Sequence, residues 1–217
     1  MRTYHANEIG NVAVLGHSGC GKTSIVEAMA YRSGIINRTG SISEGNTLSD
    51  YSEEEIKRQS SVNLAVIPGE WNNCKSALIV VPSSAGISAG TKQAMFRAKD
   101  KAKIIYINGL DNPSSDYATK LQQLKDTYGK AIAPIQVPIM DNNKMVGYVN
   151  VAKMEGRIFD GEQTKATDIP IELMEQVRPI KEMIDEAVAN TSDELLEKYI
   201  NEEPFTKEEI SWALRKG

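Results

Sequence analysis

A chain of 217 residues with 41% hydrophobic and 25% charged content has room for one large domain, or one domain and a smaller appendage. It has no apolar run of about 18 residues and no N-terminal apolar core of signal-peptide length, and its two cysteines, Cys20 and Cys74, make no disulfide framework; this predicts no membrane partner and a reducing cytoplasm. The net charge of −4 is uneven: residues 1–154 hold 17 Lys/Arg and 13 Asp/Glu, residues 155–217 hold 8 and 16, and the acidic part argues against nucleic acid as its partner.

The first strand is predicted over Ile9–Leu15, on the apolar run Val12-Ala13-Val14-Leu15. Gly16-His17-Ser18-Gly19-Cys20-Gly21-Lys22-Thr23 follows and opens a helix over about Gly21–Ser33. This is G-x-x-x-x-G-K-T between a strand and a helix, the setting a phosphate-binding loop needs. Glycines let backbone N–H groups curl around a phosphate without Cβ clashes, and the helix N-terminus adds positive potential. Lys22 can reach the β- and γ-phosphates and the Thr23 hydroxyl can bind Mg²⁺. Ser18 reads as backbone support inside this loop and not as a nucleophile.

Arg38–Asn46 is too long and polar for a simple connection, and such loops are usually functional. Ser52 with Glu55 fits a capping box, predicting a short helix to about Arg58. Ser61–Ile67 alternates like a strand, Pro68–Asn73 reads as a turn, and Ala77–Val81 as a buried strand. A basic helix over Thr91–Ala102 precedes a strand over Lys103–Ile107. A helix over Ser114–Tyr128 and a strand over Ala131–Val137 follow, the strand at an edge because of Pro134. Residues 140–160 read as a hairpin, with its turn at Asp141–Lys144 and a strand over Met145–Val151; the remainder reads as helical. Leu173, Val177, Ile180, Ile184 and Val188 form one apolar stripe, with a kink or break expected at Pro179. Thr191 with Glu194 and Thr206 with Glu209 fit capping boxes, and Phe205 with Ile210 a hydrophobic staple. Trp71 and Trp212 read as partial core. The alternation of strands and helices predicts an α/β fold with a mostly parallel sheet, helices on both faces and ligands at the carboxyl ends of the strands.

Asn108-Gly109-Leu110-Asp111 stands at the end of a predicted strand, on that ligand face. An Asp carboxylate there can accept from the guanine N1–H and 2-amino group, a donor pair adenine lacks. With Gly16–Thr23, four further segments occur in order: Glu44-Gly45-Asn46-Thr47, Arg58-Gln59-Ser60-Ser61-Val62, Asn108–Asp111 and Pro134-Ile135-Gln136-Val137-Pro138-Ile139. Over essentially its whole length the chain resembles the GTP-binding domain of elongation factor G, and its paralogues more than the housekeeping factor. The resemblance implies GTP or GDP with Mg²⁺ as ligand. Lys22 would contact the β- and γ-phosphates, Thr23 and Ser61 would ligate Mg²⁺, and Asn108 and Asp111 would read guanine. It implies a GTP-binding core over residues 1–139 and, over 140–217, an inserted α+β subdomain with acidic C-terminal helices. It further implies the ribosome and its stalk protein as partners, not DNA.

The chain departs from that family in three ways. Between Ile67 and Ala77 it has only Pro68–Ser76, with no room for the Asp-Thr-Pro-Gly element of the second switch, its strand and its helix. The literal Asp126-Thr127-Tyr128-Gly129 comes after the guanine element and is coincidence. Gly109 stands where the family has the Lys that covers the base, and the chain stops before the family's later base-contacting loop and domains. Slow hydrolysis is therefore expected. Two readings stand beside this one: a nucleotide- or protein-binding module acting through the acidic C-terminal helices, and an ATP-binding NTPase. Two histidines and two isolated cysteines exclude a Cys/His metal cluster, and no G-x-S-x-G elbow is present.

Overall fold

A computed structural model describes residues 11–68, 76–84, 86–129, 132–142, 144–161 and 163–216. The chain divides into two compact units, Met1–Gly109 and Leu110–Gly217. The first holds β1 (Val12–Gly16), α1 (Lys22–Arg32), α2 (Glu53–Arg58), β2 (Ser76–Pro82), α3 (Ala89–Arg97) and β3 (Ala102–Asn108). Its sheet is three-stranded and parallel in the order β1-β2-β3, with Leu15 opposite Ile79 and Ile79 opposite Ile105. β2 is central, and Ile79, Val80 and Val81 are wholly buried, as a strand flanked on both sides must be. Ala94 and Ala98 beside α3's C-terminal turn pack on Ala77, Ile79 and Val81. The sheet and the helices beside it form the mixed α/β, GTPase-type fold read from the sequence.

The second unit holds α4 (Tyr117–Tyr128), an antiparallel sheet β4 (Gln136–Asp141), β5 (Lys144–Asn150), β6 (Glu155–Asp160) and β7 (Gln163–Thr167), then α5 (Ile171–Ala189), α6 (Asp193–Ile200) and α7 (Lys207–Lys216). The α5 stripe Val177, Ile180, Ile184 and Val188 is buried with Val137, Ile139, Val149 and Val151 of the sheet region, Leu195 of α6 and Ile210 of α7. Thr206 and Glu209 form the reciprocal bonds of a capping box at 2.8 and 3.2 Å, and Phe205 and Ile210 join the same core.

Several expected elements differ. Ser61–Ile67 is not a strand: Leu64 is 89% and Val66 87% exposed. Alternation supplies one strand of a ladder, but a ladder needs a partner, and among the described residues β1 pairs with β2 alone. β4 begins at Gln136, beyond Pro134, whose ring leaves no N–H to donate. Residues past 160 include a second hairpin strand, β7, where helix was expected; its apolar–polar alternation is too weak to read. α4 begins later than expected because Asp116 caps it, whereas α3, capped by Ser88, begins earlier than expected and ends at Arg97, short of Ala102, which opens β3; each cap accepts a backbone N–H. α6 is capped by Ser192 and not Thr191, one residue later than read. α5 runs unbroken through Pro179, held by its buried stripe. Asp126, Thr127 and Tyr128 lie in α4, with Gly129 as its C-cap, so they form no phosphate-sensing loop. Trp212 is 49% exposed. Trp71, Cys74, the turn Gly69–Asn73 and the ends expected at Ile9 and Ala131 lie outside the described residues.

Candidate functional site

The loop Gly16–Gly21 leaves β1 and enters α1, and its chemistry begins with backbone. Gly16, Gly19 and Gly21 have φ of 152°, 74° and 94°, all unfavourable to side-chain-bearing residues. At Gly21 a Cβ would also lie 2.1 Å from Asn108 Nδ2. The crowding has a purpose: Asn108 Nδ2 donates to the Cys20 carbonyl at 3.0 Å, tying the end of β3 to the loop. On another side Gly90 of α3 comes so near that a Cβ would meet His17 Cα at 2.9 Å. His17, Ser18 and Gly19 are exposed, while Cys20 is 3% exposed and carries a free thiol. Lys22 Nζ donates to the His17 carbonyl at 2.7 Å, so its ammonium lies back across the loop.

One step along α1, Thr23 is 8% exposed, and its hydroxyl meets two groups far away in sequence. It donates to Asp50 Oδ2 at 3.3 Å and lies 3.2 Å from Ser61 Oγ. Ser61 Oγ in turn donates to Asp50 Oδ1 at 2.6 Å. Two hydroxyls and a carboxylate thus converge, all hard oxygen donors of the kind a Mg²⁺ takes. Asp50 is 4% exposed and was not singled out from the sequence, where an acidic residue in a polar loop reads as solvated.

The segment carrying Asp50 and Ser61 is held by two further buried carboxylates. Glu27 of α1, 3% exposed, accepts from the backbone N–H of Gly40 at 2.8 Å and of Leu48 at 2.5 Å. Glu55 of α2, 1% exposed, completes the capping box with Ser52 and also accepts from the N–H groups of Val62 and Asn63. The Asn63 N–H, then the Ser52 hydroxyl and the Val62 N–H, lower its pKa to about 2. A cavity of about 320 Å³ lies between α1 and this segment, lined by Thr23, Ser24, Glu27, Gly40 and Thr47 among others.

The base-reading candidates fall on both sides of the division between units. Asn108 ends β3, and Gly109 follows at φ 79°, where a lysine would be strained. Ser83 fixes this turn, donating its N–H to the Asn108 carbonyl at 2.9 Å and its hydroxyl to the Gly109 carbonyl at 2.6 Å. Asp111 is exposed and lies in the second unit.

Residues 7–79 match the family model of the elongation factor Tu GTP binding domain. The fold is similar to the crystal structure of a protein from Thermus thermophilus, with a TM-score of 0.85 and 28% identity over 98% of this chain. The chain spans 36% of the length of that protein. Family match and fold support a likeness to elongation factor G-like translational GTPases, the match to a GTP-binding domain falling within residues 7–79.

Proposed function

We propose that this chain binds a guanine nucleotide together with Mg²⁺ and hydrolyses GTP slowly. The observation that carries this is the meeting of Thr23 Oγ1, Ser61 Oγ and Asp50 beside a loop that curls its backbone behind Lys22. The N–H groups of Gly16–Thr23 hold the phosphates, and Lys22 swings from the His17 carbonyl onto the β- and γ-oxygens. Thr23 and Ser61 are the Mg²⁺ ligands, with Asp50 as the nearby anion. Asn108 and Asp111 read the base.

Slow hydrolysis follows from what separates Ser61 from β2. Phosphoryl transfer depends on a positioned water and on charge stabilisation. Only Pro68–Lys75 separates Ile67 from β2, and β2 pairs directly with β1. That leaves no second-switch strand or helix to hold the attacking water. Within the family, such a chain meets the ribosome and its stalk protein in the cytoplasm, residues 1–139 being the core and 140–217 the insertion. The acidic helices α5 and α6 supply the alternative of a protein-binding role without hydrolysis.

Calorimetric titration with GDP and ADP, each with and without Mg²⁺, tests this reading. GDP should bind at least about tenfold more tightly than ADP, the worth of one good hydrogen-bond pair at the base. Equal binding of the two nucleotides removes the guanine assignment, and no binding of either removes the reading. Single-turnover GTP cleavage at the rate of a complete family enzyme would overturn the slow-hydrolysis part.

A further inference from the structure

The carboxylate of Glu55 does more than cap its own helix. A capping box needs only Ser52, whose N–H and hydroxyl reach Glu55 Oε2 at 3.2 and 2.7 Å. Glu55 Oε1 faces the other way and accepts the N–H groups of Val62 at 2.9 Å and Asn63 at 2.8 Å. The chain reaches that position because Gln59 ends α2 in the left-handed region, at φ 51°, and turns the backbone over the helix. The Ser60 N–H closes the turn on the Glu55 carbonyl at 3.2 Å. The next residue is Ser61, whose hydroxyl meets Thr23 and Asp50.

We propose that Glu55 is a positioning residue: by holding Val62 and Asn63 it presents the Ser61 hydroxyl to Thr23 and Asp50, and so sets how tightly the chain holds a divalent cation with its nucleotide. This rests on the reading that Thr23 and Ser61 ligate Mg²⁺. The chemistry of the side chain supports the assignment. An ionised carboxylate is an acceptor only, and it takes four donors here, two on each oxygen. Glutamine has the same shape but one acceptor oxygen. It can serve Ser52 or the Val62–Asn63 pair; the other side then faces an NH₂ group, donor against donor. Ser61 is released by that exchange while the helix keeps its length. No such link exists for Glu54 on the same helix, which pairs with Arg58 at the surface.

The test uses the full chain and a fluorescent GDP, titrated with Mg²⁺. Glu55→Gln should raise the Mg²⁺ concentration for half-maximal affinity about tenfold, the worth of one misplaced ligand. Glu54→Gln should leave it unchanged. Ser61→Ala should produce a similar rise, and the double variant Glu55→Gln/Ser61→Ala no further one, since both act through one hydroxyl. Amide exchange at Val62 and Asn63 should quicken in Glu55→Gln, while α1 stays protected. Wild-type Mg²⁺ dependence in Glu55→Gln overturns the proposal, as does a full additive effect in the double variant. If Glu55→Gln loses its fold, amide protection of Val62 and Asn63 in the wild type decides: exchange at the rate of an open chain overturns it. The underlying reading fails separately, if Thr23→Ala leaves Mg²⁺ dependence untouched.

Discussion

The two units bury different things. Among the described residues, the buried polar side chains of the first unit are Thr23, Glu27, Thr47, Asp50, Glu55, Ser83 and Thr91, whereas the second unit has only Lys120. The second unit instead encloses a continuous apolar core from Val137 to Ala213. Buried polar groups are costly unless each finds partners. The first unit accepts that cost where it organises a loop around oxygen donors, and its apolar cluster around Ile79 and Val81 is correspondingly small. An interior of carboxylates and hydroxyls holds a loop through directed hydrogen bonds; an interior of Val and Ile holds its shape through contact alone.

The largest expected effect lies in the apolar unit. Ile184 is wholly buried, so Ile184→Ala should cost about 3 kcal/mol in urea unfolding through the lost contacts and the cavity. It should leave GDP affinity unchanged. A large loss of affinity would break the contrast between the units. Lys22→Ala reverses the pattern: GDP binding should fall about 100-fold, the loss of a charge-assisted phosphate contact, with little change in stability.

Lys120 is the polar exception in the apolar unit. It is 1% exposed, its ammonium donates to Gln123 Oε1 at a long 3.3 Å, and burial holds its pKa below the ordinary 10.5. Lys120→Met should therefore stabilise by about 1 kcal/mol at neutral pH. The unfolded chain holds this proton more tightly than the folded one. Wild-type stability should therefore rise as pH climbs toward 10.5, narrowing the gap to the variant.

Glu55 should behave in the opposite sense. Its pKa falls on folding from 4.5 to about 2, so its stabilisation is complete above pH 4.5 and is lost as pH drops toward 2. Unfolding curves of wild type and Glu55→Gln should converge across that window; a constant separation would remove the assigned role of the charge. The smallest effect is at Tyr128, whose hydroxyl is buried without a partner. Tyr128→Phe should be neutral or stabilising by about 0.5 kcal/mol in the same assay.

Local patterns with a fixed physical demand were legible before the fold. The glycines of Gly16–Gly21, the Lys22–Thr23 pair and the turn into α1 could be read because a phosphate cradle requires them at that spacing. The Ser52–Glu55 box and the α5 stripe could be read because helix geometry sets their intervals. Ser61 was marked by family likeness alone, and its place on Thr23 is a fact of the fold. Asp50 and Glu27 escaped notice, since in sequence a buried carboxylate looks like a solvated one.

The sequence by itself determined the loop, the helices and the apolar faces, because these depend on neighbours within a few residues. Tertiary structure decided the rest. It placed Asp50 and Ser61 on Thr23, across 27 and 38 residues of chain. It turned a capping glutamate into a clamp on Val62 and Asn63. It also left Ser61–Ile67 outside any sheet. A strand is completed by hydrogen bonds to another strand, and a buried charge by donors brought from elsewhere; neither partner is specified by the residues beside it.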